Sequence, residues 1–305
     1  MALIIYCIAL PICYIVSILP FPLLYGLSTG FYYLLFRVIG YRKEVVYKNL
    51  RNAFPEKNEQ EIKAIADQFF RYFCDLVAEV LKNITISPRT ALKRCSVSKE
   101  TVDLFNSLAA KNQSAIIVMG HKGNWEWAGN SFSLTFKHEL HVVYHPLKNK
   151  YFDRLIYKMR TKYGTQLIRM KQSFERMKEL QNTLHCVALI ADQSPRPQNA
   201  YWLTFLNQDT GVYLGTEKYA LESGYPVIYL DVYRLKRGYY ELRGELLETA
   251  NATGFGEITR LHVATLEEKI IEQPYTWMWT HKRWKHHRPP VHEMSWYKKE
   301  SEVFA

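Results

Sequence analysis

Two regimes of hydrophobic patterning divide the chain. From residue 1 to residue 36 there is no Asp, Glu, Lys, Arg or His. Ala2 to Leu19 is a near-continuous apolar run, Pro20 and Pro22 interrupt it, and Leu23 to Phe36 continues it with several Tyr and Phe. A bilayer-spanning helix takes about 20 apolar residues. The first run nearly meets that length, with Pro11 placed to kink it, and the aromatic second run suits a membrane–water interface. A cleaved signal peptide fits poorly, because no basic residue precedes the run and the run is too long. A buried helical hairpin is the alternative. The pattern therefore predicts an N-terminal membrane anchor over 1–36, transmembrane or interfacial, followed by a cytoplasmic domain over 37–305.

Beyond Arg37 the pattern becomes amphipathic. Tyr41–Leu50 reads as a basic interfacial helix. Asn58 with Glu61 forms a capping box, and Ile62, Ile65, Ala66, Phe69, Phe73, Leu76, Val77 and Val80 make one stripe behind it. Strand patterns follow at Ala115–Met119, Leu140–Tyr144, Gln166–Ile168, Cys186–Ala191 and Pro226–Val232. Helical patterns lie among them at Thr101–Ala110, Tyr151–Tyr163, Ser173–Leu180, Thr216–Ser223 and Glu257–Glu272. No repeat, low-complexity tract or flexible linker interrupts the series. Such alternation predicts one α/β domain with a mainly parallel sheet flanked by helices, and a site at the carboxyl ends of its strands.

Composition adds two constraints. The 305 residues are 48% hydrophobic and 23% charged, with a net charge of +11, which excludes a disordered chain and a multi-span transporter. The surplus suits acidic partners such as a bilayer surface. Arg37, Arg42, Lys43, Lys48 and Arg51 directly follow the apolar segment and place the domain on the cytoplasmic side. Cys7, Cys13, Cys74, Cys95 and Cys186 are scattered and odd in number, as in a reducing compartment.

Three segments carry chemistry. Gly120-His121-Lys122-Gly123-Asn124-Trp125-Glu126 follows a buried strand directly, so His121 stands where a general base would, with Glu126 as the carboxylate that orients it. A structural hydrogen bond is the competing reading. Asp192-Gln193 ends another strand, as a turn or as a substrate contact. Arg160 is either a helix-surface ion pair or a cation for phosphate or an oxyanion. The third segment, Trp277 to Arg288, interleaves Trp with basic residues. That pattern occurs in nucleic-acid binders, but beside an apolar anchor it suits an interfacial belt. No Gly-x-Ser-x-Gly elbow or His-Glu-x-x-His motif is present. His138, His141 and His145 have helical metal-site spacing but fall on a predicted strand, so no metal is expected.

The box His121-Lys-Gly-Asn-Trp-Glu126 resembles the His-x4-Glu box of the lysophospholipid acyltransferase superfamily, in the form of the lipid A late acyltransferases. Tyr41–Val46 with Asn49–Glu56 is similar to that family's segment after its anchor. Asn149, Asp153, Arg160 and Gly164 match its pattern after the box, Ala191-Asp192-Gln193 its second loop, and Gln273-Pro274 through Trp284-Lys285 its C-terminal signature. The resemblance implies direct acyl transfer from an acyl carrier protein thioester, or acyl-CoA, to a hydroxyl of a lipid A precursor at the inner membrane, without cofactor or nucleic acid. It implies His121 as base and Glu126 as its orienter. Gly123, Asn124, Asn149, Arg160, Asp192 and Gln193 would meet substrate. Backbone N–H groups near Gly123 and Asn124, and Arg160, would hold the oxyanion. The chain departs from the family at His145-Pro146, where Arg-Pro is usual, and at Ser194–Pro197 and Tyr201–Thr210, loops expected to touch substrate. Another lipid acceptor, or a membrane-tethered binding protein with a structural box, are the alternatives.

Overall fold

The computed structural model describes residues 2–249 and 254–295; the far end of the expected 37–305 domain lies outside the described residues. Helices α1 (Ala2–Ile18) and α2 (Phe21–Tyr32) open the chain, and a π-helical turn, Tyr33–Val38, extends α2. Among the described residues, no single helix is long and apolar enough to cross a membrane. Pro11 lies inside α1, and Pro20 separates α1 from α2 by capping the latter. Leu24, Ser28, Tyr32 and Phe36, four residues apart, form the buried face of α2 and its extension. The remaining surface of α1 and α2 leaves Ile4, Ile8, Ile15, Leu23, Leu27 and Phe31 exposed.

Helix α3 (Lys43–Ala53) carries the expected basic stretch. Helix α4 (Glu59–Lys82) starts at the capping box read from the sequence, with the Asn58 side chain accepting from Glu61 N–H and Glu61 reaching back to Asn58 N–H. Such a cap stabilises by about 1 kcal/mol. The α4 stripe is broader than the periodicity implies. Tyr72, Cys74, Asp75, Ala78 and Glu79 are buried too, whereas Val77 is exposed, because α1, α2, α3 and the C-terminal segment all pack around this helix.

The remaining elements are α5 (Pro88–Arg94), β1 (Cys95–Val97), α6 (Lys99–Ala110), β2 (Ala115–Met119), α7 (Trp125–Thr135), β3 (Glu139–Tyr144), α8 (Lys150–Arg160), β4 (Gln166–Arg169), α9 (Ser173–Glu179), β5 (His185–Ile190), β6 (Tyr201–Phe205), β7 (Gln208–Val212), α10 (Gly215–Ser223), β8 (Val227–Lys236), β9 (Tyr239–Leu246) and α11 (Glu257–Glu272). Seven strands form one sheet in the order β1-β9-β8-β2-β5-β3-β4, parallel except for the β8–β9 hairpin. The expected mainly parallel sheet flanked by helices is the observed architecture. Strand β2 is buried along its whole length, from Ala115 to Met119, as a central parallel strand covered on both faces must be.

Two segments differ from expectation. Tyr201–Thr210 is not a loop: β6 and β7 pair antiparallel across Leu206-Asn207, both in the left-handed region (φ 49° and 60°). That is a two-residue hairpin turn without its usual glycine, so Asn207 is the one turn-favouring residue in it. Trp277 and Trp279 do not stand in an interfacial belt. They are 2% and 0% exposed and pack edge-to-face on one another. Strand β3 separates the three histidines: His138 meets the Gln113 carbonyl, His141 is buried in the strand, and His145 is exposed beyond it.

Candidate active site

Strands β2 and β5 are parallel neighbours whose last register pair is Met119 with Ile190. His121 and Asp192 each lie two residues beyond that pair, so adjacent strand ends carry the imidazole and the carboxylate to one point. His121 Nδ1 and Asp192 Oδ1 are 2.5 Å apart. The His121 backbone N–H donates to Asp192 Oδ2 at 2.7 Å, and the Trp277 indole N–H donates to the same oxygen at 2.8 Å. Burial pushes the Asp192 carboxyl up, but the imidazole charge and these hydrogen bonds outweigh burial and bring it down to about 2. An ionised carboxylate only accepts. The Nδ1 position therefore carries a proton, and Nε2 is the ring nitrogen left to exchange one with a substrate.

The expected orienter, Glu126, does not fill that role. Asn124 starts α7, with its side chain accepting from Trp127 N–H, and the first turn of the helix carries Glu126 away from the imidazole toward α8. There it forms a bidentate pair with Arg160, with Nε–Oε2 at 2.9 Å and Nη2–Oε1 at 2.5 Å. The pair is largely desolvated, with the Glu126 side chain 9% and that of Arg160 25% exposed. Arg160 is thus an ion pair, and it faces the same cleft as His121.

The box loop is held from every side. Lys122 forms a buried ion pair with Asp231 of β8, with Nζ 2.9 Å from Oδ1; burial lowers its pKa and Asp231 opposes that shift. Tyr72 of α4 donates its hydroxyl to the Gly123 carbonyl at 2.5 Å. The Gly123 N–H donates to the Thr276 carbonyl at 3.0 Å, which removes it from the expected oxyanion donors. Gly123 has φ +63°, and a Cβ there would lie 2.1 Å from the Val232 carbonyl oxygen. At Gly120 a Cβ would lie 2.6 Å from Leu266 and 3.3 Å from Asp192 Oδ2, so glycine there lets the carboxylate approach.

Two more of the expected substrate contacts have hydrogen-bond partners within the fold. Asn124 is fully buried; besides capping α7 it donates to Glu79 Oε2 at 2.8 Å. Asn149 caps α8 by accepting from Tyr151 N–H. Gln193 stays at the site, with its Nε2 3.5 Å from His121 Nε2.

His121 sits between two openings. One is an apolar cleft of about 510 Å³, walled by Ile117, Phe132, Leu140, Val142, Ala188 and Leu230 and also reached by Glu126, Arg160 and Gln193. The other, of about 260 Å³, is lined by Tyr41, Arg42, Phe73, Trp277, Thr280 and His281. Asn49 holds the wall of the second opening by donating to the Trp279 and His281 carbonyls, and Arg42 donates to the Thr280 carbonyl. The motif around Tyr41–Glu56 and the C-terminal signature, far apart in sequence, therefore build one feature together.

The sequence reading missed the Trp277–Asp192 contact and the Lys122–Asp231 pair. A lysine inside a glycine-rich box after a fully apolar strand was the available signal for the second. A family model described as bacterial lipid A biosynthesis acyltransferase matches residues 2–286. A search of curated proteins found none that matches the chain.

Proposed function

The chain belongs to the bacterial lipid A biosynthesis acyltransferase family, and from that premise we propose that it transfers a fatty acyl chain from a thioester to a hydroxyl of a lipid A precursor, with His121 as general base. The observation that carries this reading is that His121 borders two openings, the long apolar cleft and the smaller one between the Tyr41 segment and the C-terminal segment. A direct transfer needs the acyl donor on one side of the base and the hydroxyl acceptor on the other.

In this mechanism His121 Nε2 takes the proton of the acceptor hydroxyl as its oxygen attacks the thioester carbonyl. The C–O bond forms, the C–S bond breaks, and the departing thiolate takes the proton back from the imidazolium. Asp192 holds the imidazole by Nδ1 and stabilises its positive form. The acyl chain occupies the apolar cleft. Arg160, fixed by Glu126, supplies the charge that stabilises the oxyanion in a partly dry site. An acidic acyl carrier protein is the proposed donor: Lys148, Lys150 and Arg154, around the start of α8, lie beside the apolar cleft and offer it a basic approach. The exposed apolar surface of α1 and α2 lies on the inner membrane, with the catalytic domain on its cytoplasmic face.

The test uses the full-length protein in membranes, with acyl carrier protein thioesters or acyl-CoA and a lipid A precursor. His121→Ala lowers transfer by about 10²–10⁴-fold at unchanged protein level. Full transfer by this variant would defeat the general-base assignment, and no thioester-dependent transfer by the unaltered protein would defeat the substrate reading.

A further inference from the structure

Helix α4 turns Phe73 toward the smaller opening at His121, and turns Gln68, Arg71 and Asp75 toward a different cleft. This second cleft has a volume of about 330 Å³ and shares no lining residue with either opening at His121. Its walls come from α2, α4, the β8–β9 turn and Tyr275. None of its side chains takes part in the transfer mechanism.

The cleft is cationic by construction. Arg37 and Arg71 share Asp67, and Arg234 and Arg237 share Asp75. Of these groups Arg71, Arg234, Arg237 and Asp75 line the cleft, three guanidinium groups against one carboxylate. Arg234 is held in place by ring stacking, with its guanidinium carbon 5.4 Å and 5.6 Å from the centroids of Tyr72 and Tyr275. Its side chain is 11% exposed, and its Nε–H is buried with no hydrogen-bond partner. Planar arginine forks suit the several oxygens of a phosphate group.

The position of the cleft points to the source of that phosphate. Ser28, Thr29 and Tyr32 of α2 line it. On α2 and its extension, Leu23, Leu27, Phe31 and Leu34 follow one another at helical spacing and are 61%, 49%, 41% and 50% exposed. A helix that carries an exposed apolar surface and also walls an arginine-lined cleft brings that cleft to the depth of a lipid headgroup when the surface meets a bilayer. We propose that this cleft is a second binding site, in which Arg71, Arg234 and Arg237 hold the phosphate monoester headgroup of a membrane lipid. The site does not depend on which hydroxyl is acylated at His121.

The test measures binding of the full-length protein to two sets of phosphatidylcholine vesicles of equal negative surface charge, one containing phosphatidic acid and the other oleate. The unaltered protein binds the phosphatidic acid vesicles about tenfold more tightly, because the phosphate adds fork geometry to plain charge attraction. Arg71→Gln/Arg237→Gln abolishes the preference. Arg237→Gln alone, at a side chain 46% exposed, lowers it if the double variant does not fold. Lys111→Gln/Lys137→Gln, which removes the same charge from exposed positions elsewhere, keeps it. A preference that survives in the arginine variants, or is missing from the unaltered protein, overturns the proposal. So does inorganic phosphate raising the thermal midpoint of the unaltered protein alone while neither vesicle is preferred, which would assign the cleft to free phosphate.

Discussion

Two buried carboxylates grip the same loop, and burial among different partners shifts their acidities in opposite directions. Asp192 holds His121, and Glu79 holds Asn124 three residues further on. Each carboxyl accepts three hydrogen bonds; those to Glu79 come from Tyr25, Tyr240 and Asn124. Asp192 is drawn down to about 2, whereas burial pushes Glu79 up to about 7 despite its three donors. The number of hydrogen bonds does not separate them. Asp192 faces an imidazole that can carry positive charge, whereas the donors on Glu79 are neutral. In a dry interior, dipoles alone do not replace the lost hydration of an anion, and a cationic partner does. One carboxylate is therefore suited to stabilising a charge that appears during a reaction, and the other to fastening a loop.

The largest effect that sharpens this contrast is on turnover. Asp192→Asn lowers acyl transfer by about 10²–10⁴-fold, because the imidazole loses the partner that fixes its tautomer, and it shifts the pH profile of the residual rate. The same carboxylate contributes to stability. With its pKa depressed from 3.8 to about 2, the contribution is present above pH 3.8 and is lost as pH falls through about 2, on the order of 2 kcal/mol. Acid titration of unfolding in the two proteins checks the sign. A wild-type pH profile in Asp192→Asn would break the contrast.

Glu126→Gln has the next largest effect. It leaves Arg160 without its carboxylate and lowers transfer by about 10–10³-fold, the range for loss of an oxyanion stabiliser's placement. The pH profile is unmoved, since the imidazole keeps Asp192. A pH shift in this variant would return the orienting role to Glu126.

Glu79→Gln has the smallest effect on turnover and the opposite pH signature in stability. A carboxyl raised from 4.5 to about 7 stabilises fully below pH 4.5, and the contribution is lost as pH rises through about 7. The loss is on the order of 3 kcal/mol between those limits. The amide variant removes that slope, so urea unfolding at pH 5 and pH 8 gives a smaller difference than in the unaltered protein. An unchanged slope would mean Glu79 stays ionised, and the contrast with Asp192 would fail.

Local chemistry was legible in the sequence wherever its cause is local. The Asn58 capping box, the β2 strand and α11 depend on neighbours within a few residues, and they appear where their patterns put them. The His box was legible for the same reason, as a strand end followed by a helix cap at Asn124. Nearness in sequence also misled. Glu126 is five residues from His121 but points along α7 to Arg160, whereas Asp192, 71 residues away, meets the imidazole. The β6–β7 hairpin escaped because Leu206-Asn207 takes a left-handed turn without glycine.

The order of residues alone set a charge-free opening, an α/β alternation, a histidine at the end of a buried strand and a surplus of positive charge. Each follows from residue type and spacing. Tertiary structure alone decided that β5 lies beside β2 and brings Asp192 to His121, that Trp277 is a buried donor to Asp192 and not a surface anchor, and that Arg71, Arg234 and Arg237 converge beside α2. Strand order and the approach of distant segments are set by the joint packing of all the faces at once, and no window of the sequence contains that information.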